Sequence, residues 1–293
     1  MRCLSLLFLS ASLALPVFAQ TDARPVRAIA FGAHPDDAEL QTAGTAYLWA
    51  QDGAEVKFVA ATNGDVGHFD MAGGELALRR RDEVLACARI LGITTEVLDI
   101  HDGELMPTLE NRKTFARLIR DWQADVVFSH RRYDYHADHR YVGVLAEDAA
   151  VLVGAGFYTP YSPRVERPPI FLHYYDRFTK PYPFQPDLVV GIDDAVEKKL
   201  ACVRAMPSQF ADHGSWSFQH RPDAPETQEE RLELIIERMK RRFADMADRY
   251  RDRLIQLYGE EKGRGIKYAE AFEICQYGRQ PTIEELKELF PTF

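Results

Sequence analysis

Between Val26 and about Val190 the chain alternates short β-branched apolar runs with stretches whose apolar residues recur at helical spacing. Residues 26–31, 55–61, 95–100, 125–129, 170–175 and 187–191 predict strands. Residues 42–51, 75–91, 111–122 and 139–152 predict helices, with Gly53 and Gly92 just past two of them, where glycine ends a helix. Such alternation predicts an α/β fold: a doubly wound, mostly parallel sheet with helices on both faces. Further on, residues 226–258 are densely charged but carry Leu232, Ile235, Ile236, Met239 and Phe243 at helical spacing. That pattern predicts an amphipathic helix packed on the domain, with its charge run as a solvated face. Residues 158–169, 178–186 and 208–224 are irregular and rich in proline or aromatics. Loops this long in a compact domain are usually functional or mobile, and Tyr and Trp on them suit stacking on sugar rings or small ligands.

The amino terminus follows a different pattern. Arg2, an apolar run over 4–15 and Val17-Phe18-Ala19 before Gln20 predict an export signal over residues 1–19. The run is too short for a stable membrane span, and Cys3 stands at its start, away from a lipoprotein cleavage position. The expected product is periplasmic or secreted: one domain over 20–293, its core at about 26–210 and a helical and loop elaboration at about 211–293.

Composition narrows the partners. With 293 residues, 46% of them hydrophobic, the chain can bury a large core without staples. Loss of Arg2 with the signal leaves 35 basic against 45 acidic residues, which argues against nucleic acid or an anionic membrane surface as partner. Cys87, Cys202 and Cys275 remain; an odd number at wide spacing is not a disulfide framework. Cys87 and Cys202 read as small buried hydrophobes, and a thiolate metal site is not expected.

The chemistry concentrates in two places. Ala33-His34-Pro35-Asp36-Asp37-Ala38-Glu39 follows the first strand, and Tyr135-His136-Ala137-Asp138-His139 comes shortly after the fourth. In a doubly wound sheet of order 3-2-1-4, strands 1 and 4 are neighbours where the winding reverses, and ligands bind outside their carboxyl ends. The two clusters therefore predict one site. Two imidazoles, one carboxylate and an open position describe a catalytic metal. His34, Asp37 and His139 are the expected ligands, with Asp36 free to take a proton from a metal-activated water. His136 would donate a proton or a hydrogen bond to a tetrahedral intermediate. Asp138 would orient an imidazole. Zinc lowers the pKa of bound water from about 16 to about 7; other divalent ions such as Fe2+ also suit these ligands. Among the other histidines, His68 is expected to line the crevice, while His130 could be a buried structural residue, His173 belongs to the core, and His213 and His220 sit on surface loops.

These motifs resemble the PIG-L/LmbE family of zinc-dependent N-acetylglucosaminyl deacetylases. The similarity runs over about 26–210 and includes Thr62-Asn-Gly-Asp-Val-Gly-His68, Arg80-Arg-Asp-Glu83, Asp102-Gly-Glu-Leu105, Asp134-Tyr-His136 and the stretch 198–209. The resemblance implies a Rossmann-like fold and removal of an acetyl group from an amino sugar. It assigns His34, Asp37 and His139 to the metal, Asp36 as base and His136 to the oxyanion or the amine. It also implies sugar contacts from Arg80 and Asp102. Ala137 stands where the family usually has proline, and Gln41-Thr-Ala-Gly44 replaces a frequent Gly-Cys-Gly-Gly.

The expected activity is hydrolysis of an N-acetyl amide on an amino-sugar-containing small molecule or glycan. Another acyl amide, or non-haem iron oxygenase chemistry at the same two-histidine, one-carboxylate set, are the alternatives. A sugar-binding protein without catalysis would have no use for Asp36.

Overall fold

A computed structural model describes residues 24–219, 221–290 and 292–293. The proposed export signal and His220 lie outside the described residues. Six strands form where the apolar runs predict them: β1 (Arg27–Gly32), β2 (Glu55–Ala60), β3 (Thr94–Val97), β4 (Val126–Ser129), β5 (Ile170–Tyr174) and β6 (Leu188–Gly191). A seventh, β7 (Ala269–Gly278), comes from the carboxyl-terminal region. The sheet runs β3-β2-β1-β4-β5-β7-β6. β3, β2, β1, β4 and β5 are parallel, while β7 is antiparallel to both β5 and β6. The predicted reversal between strands 1 and 4 is present.

Successive β1 side chains feed opposite layers, as a pleated strand requires. Ala28 and Ala30 join a core with Trp49, Phe58, Phe128 and Phe272; Ile29 and Phe31 join one with Phe115, Ile119, Val127 and Phe171. Phe31 stacks on Phe115 at 4.5 Å. The first core lies under α1 (Asp37–Gln51), α2 (Gly73–Leu91), α5 (Val196–Arg204) and α7 (Gln228–Arg249); the second lies under α3 (Leu109–Trp122) and α4 (Ala137–Leu152). Cys87, Cys202 and Cys275 are free and buried, as expected.

The charged region beyond 226 divides into α7, started by a Thr227–Glu230 capping box, and α8 (Arg251–Tyr258). α7 buries Ile235, Ile236, Met239 and Phe243 as its spacing predicts. β7 is tied beneath the site by a buried ion pair. The Glu270 carboxylate accepts from Gly44 N at 2.8 Å, Thr45 N at 2.8 Å and Thr45 Oγ1 at 2.5 Å, and pairs with Lys199 Nζ. A Cβ at position 44 would meet Ile192 Cγ2 at 2.8 Å and Glu270 Oε1 at 3.0 Å, so glycine is required by this contact.

Candidate active site

β1 ends at Gly32, where a Cβ would meet Asp37 Cβ at 2.8 Å and Ala38 N at 3.1 Å. The absent side chain lets the chain fold back tightly, and Asp36 N and Asp37 N donate to His34 O at 2.9 and 3.3 Å. α1 therefore starts at Asp37, five residues ahead of the start at 42 expected from its apolar spacing. Asp36 occupies the N-cap position but makes no side-chain cap bond, and it lines the cleft above the turn. Asp37 instead fastens the turn: its Oδ2 accepts from Ala33 N at 2.9 Å and His34 N at 2.8 Å.

At the second strand end, α4 begins with His136 as its N-cap. Ala137 is the first helical residue, a position where proline and alanine are both at ease. His34 Nδ1 and His139 Nε2 are 3.3 Å apart, and Asp37 Oδ2 lies 3.5 Å from each. Tetrahedral coordination with bonds of about 2.0–2.1 Å needs donors about 3.4 Å apart, so this triangle has the spacing of a three-ligand face.

The other nitrogen of each imidazole is held from behind. His139 Nδ1 is 3.1 Å from Asp134 Oδ1, and His34 Nε2 is 3.1 Å from Asp102 Oδ1 and 3.3 Å from Asp138 Oδ2. A carboxylate on the rear nitrogen fixes the tautomer and aims the front lone pair. Asp138 is fully buried and also accepts from Gly103 N at 2.7 Å and Leu105 N at 3.2 Å. It orients His34 and does not line the cleft. Asp134, whose function the residue pattern does not reveal, plays the matching part for His139. His130 is also closer than its sequence context suggests. It is buried, accepts from Ala33 N at 3.3 Å and stacks on His139 at 4.1 Å.

His136 lines the cleft, and its Nδ1 accepts from Asp138 N at 3.2 Å. That bond places the ring proton on Nε2. Burial lowers the pKa of His136, and His34 and His139 lower it further, so the ring is a neutral donor.

The charges of the cluster oppose one another. Burial works against a charged His34, yet Asp102, Asp138 and Asp37 hold its pKa well above the usual range. His139 is raised likewise, with Asp37 and Asp134 outweighing burial. For Asp37, burial pushes upward but His139 and His130 win and keep it well below the usual carboxylate range. Asp36 goes the other way: burial and the neighbouring Asp37 charge raise it to about 6, against Arg80. A carboxylate pair split in this way is the arrangement for one fixed ligand and one proton acceptor.

The surrounding cleft has a volume of about 470 Å³. Arg80 reaches it from α2, donates to Gly67 O at 3.0 Å and to Gln209 Oε1, and leaves its buried Nε without a partner. The loop 208–224 contributes Gln209, Phe210 and Trp216 to the wall, and Tyr135 stands opposite. His68 is not part of this wall. Its Nδ1 accepts from Asp70 N at 3.1 Å, its Nε2 faces Asp212 at 3.5 Å, and its backbone bridges Ser215. It fastens two loops together, which corrects the expectation that it lines the crevice. Arg242 of α7 also lines the cleft, so the charge run there is not wholly a solvated face. A separate group, Glu147, His173 and Cys275, brings its donor atoms within 4.8 Å of one another. Arg132 pairs with Glu147 there, and His173 Nδ1 lies 3.2 Å from His130 O.

The family described as PIG-L, GlcNAc-PI de-N-acetylase, matches residues 29–150. A diacetylchitobiose deacetylase of Thermococcus kodakarensis is 32% identical over 189 residues, 61% of this chain and 68% of that protein. A 4-oxalmesaconate hydratase of Pseudomonas putida is 27% identical over 190 residues, 62% of this chain and 73% of that protein. Among solved structures, the N,N'-diacetylchitobiose deacetylase of Pyrococcus horikoshii in complex with an inhibitor superposes with a TM-score of 0.65 at 26% identity. That match covers 85% of this chain and 83% of the other. With both clusters inside the matched stretch, the chain belongs to the PIG-L family of de-N-acetylases.

Proposed function

We propose that this protein is a divalent-metal hydrolase, zinc being the first candidate, that removes the N-acetyl group of an amino-sugar substrate. The observation that carries the reading is the triangle of His34 Nδ1, His139 Nε2 and Asp37 Oδ2, with donors 3.3–3.5 Å apart and Asp36 beside it. His34, Asp37 and His139 would hold a divalent ion, which would supply Lewis acidity and lower the pKa of water from about 16 to about 7. Asp36 takes a proton as the water oxygen bonds to the amide carbon. His136 donates from Nε2 to the developing oxyanion, a task for a neutral imidazole. The C–N bond then breaks and the proton held by Asp36 passes to the amine nitrogen, giving acetate and a free amino sugar. Arg80 and Asp102 border the space where sugar hydroxyls would lie, and Tyr135 and Trp216 offer exposed rings to the sugar faces. Export to the periplasm or medium is part of the same proposal and rests on the pattern of residues 1–19.

The test is acetate release from N-acetylated sugars by the zinc-loaded protein, with a chelated control. Asp36→Ala should keep its metal and lose at least about a hundredfold in kcat. Unchanged turnover in that variant would remove Asp36 as the base. The Pseudomonas putida relative supports a second reading, hydration of an unsaturated acid, in which Asp36 would take a proton from water as its oxygen bonds to one carbon of the double bond and would return a proton to the other carbon. Loss of ultraviolet absorbance from a conjugated enoate, with no acetate from any sugar, would favour it.

A further inference from the structure

The arginine that α7 brings to the cleft has no hydrogen-bond or ion-pair partner among the described residues. Ile235, Met239, Arg242, Met246 and Arg249 follow one another at steps of four and three along one stripe of the helix, which is buried at Ile235, Met239 and Met246 and reaches the surface at Arg249. Arg249 ends the stripe on the Tyr175 hydroxyl at 2.5 Å. Arg242, half-buried, makes no hydrogen bond or ion pair among the described residues, although it borders the cleft that also exposes His34, Asp36 and Asp37. A neighbouring hollow of about 410 Å³ shares Arg242, Tyr135 and His139 with that cleft and adds Arg177. Arg177 also lacks an ion pair among the described residues.

Two carboxylates that line this hollow are already committed. Asp176 pairs with Arg131 at 3.1 Å, and Asp134 holds His139 at 3.1 Å. Burial lowers the pKa of Arg242, the neighbouring Arg177 charge lowers it further, and Tyr175 only partly opposes them. Two uncompensated cations side by side, one of them partly desolvated, are costly unless an anion arrives to share them. A guanidinium fork is the side chain best shaped for a carboxylate or phosphate.

We propose that Arg242 and Arg177 form a subsite for an anionic substituent, carboxylate or phosphate, carried by the amino-sugar substrate. The proposal rests on the deacetylase reading for its substrate, and adds that the preferred sugar is charged. It places the determinant of specificity in a part of the chain beyond residue 150, where the family match ends. The anion would sit beside the metal face without displacing its ligands, because Arg242 and the His34, Asp37 and His139 donors border the same space from different elements.

Binding and turnover can be tested separately. Asp36→Ala protein loaded with zinc is titrated by calorimetry with N-acetylglucosamine, N-acetylmuramic acid and N-acetylglucosamine 6-phosphate. The charged sugars are expected to bind at least about tenfold more tightly than the neutral one at low salt, with the advantage shrinking as ionic strength rises. Adding Arg242→Gln should erase the preference, Arg242→Lys should keep part of it, and Arg177→Gln, on an exposed loop, should reduce it without touching the core. Circular dichroism confirms that each variant is folded. Equal affinity for neutral and charged sugars, or a preference that survives Arg242→Gln with Arg177→Gln, would overturn the subsite. Wild-type enzyme distinguishes the two readings: no acetate from any sugar removes the deacetylase, whereas acetate released with equal kcat/KM from both classes removes only the anion site.

Discussion

At the scale of single residues, the five aspartates around the proposed metal face, Asp36, Asp37, Asp102, Asp134 and Asp138, differ in task because their neighbours differ. The Asp36 carboxylate makes no hydrogen bond among the described residues and has a pKa raised to about 6, which suits it to the proton-accepting part proposed for it. Asp138 is saturated by His34, Gly103 N and Leu105 N. Asp138→Asn would keep one accepting oxygen but turn an amide donor toward either a ring N–H or a backbone N–H. The rear support of His34 then fails, and zinc affinity should fall roughly 10–100-fold, as is usual for outer carboxylates of metal-bound histidines. Competition with a chromophoric chelator measures this. Activity restored at saturating zinc would identify Asp138 as a positioning residue, while a loss that zinc cannot restore would make it a participant in the chemistry. Asp36→Ala should show the converse: normal zinc affinity and lost turnover. That these residues meet was legible in the sequence, because the proposed ligands and base crowd into 34–39 and 136–139 and each cluster follows an apolar run. The task of Asp134 was not: the residue belongs to the shared Asp134-Tyr-His136 stretch, but nothing in that stretch shows that the fold lays it on the His139 ring. His68 misled for the same reason: it sits in the shared loop motif, but its ring turns toward residues 212–215.

At the scale of elements, periodicity identified the six strands that precede residue 192, and with them the meeting of strands 1 and 4. β7 was harder to find because it is separated from its neighbours β5 and β6 by α5 to α9. An antiparallel insertion of that kind leaves no local trace of its partners. Its position depends on Glu270, whose carboxylate is fully engaged with Lys199 and the 44–45 turn of α1. Lys199→Met would leave that carboxylate without its counter-charge in a buried place, at a cost of about 3–5 kcal/mol. Adding Glu270→Gln removes the stranded charge while an amide oxygen can still accept from Gly44 N or Thr45 N. The double variant should therefore be more stable than Lys199→Met alone, as read from urea midpoints of all three proteins. Equal loss in single and double variants would mean that packing of the lysine stem, rather than its charge, holds β7 in place.

For the molecule as a whole, the His173 imidazole couples folding to pH at a point away from the proposed metal ligands. It lies in the middle of β5 with Nδ1 3.2 Å from His130 O. Burial lowers its pKa from 6.5 to about 4 against the hydrogen bond to the His130 carbonyl, while the charges of Arg131, Arg132 and the His130 ring act in the same direction as burial. Glu147 Oε1 stands 3.6 Å from Nε2 and favours the charged ring, but Arg132 already neutralises that carboxylate. Above pH 6.5 the ring is neutral in both folded and unfolded chains, and its contribution to stability is complete. As the pH falls from 6.5 toward 4 the unfolded chain takes up the proton first, so stability is lost across that window, by about 3 kcal/mol in all. Carboxylates add their own acid slope, so the test is a difference: urea midpoints of wild type and His173→Gln at pH 7, 5.5 and 4. The variant should start less stable at pH 7, because glutamine fits the strand less well, yet lose less on acidification. Parallel lines for the two proteins would show that His173 does not carry the proton, and that the acid sensitivity of this sheet comes from its carboxylates alone.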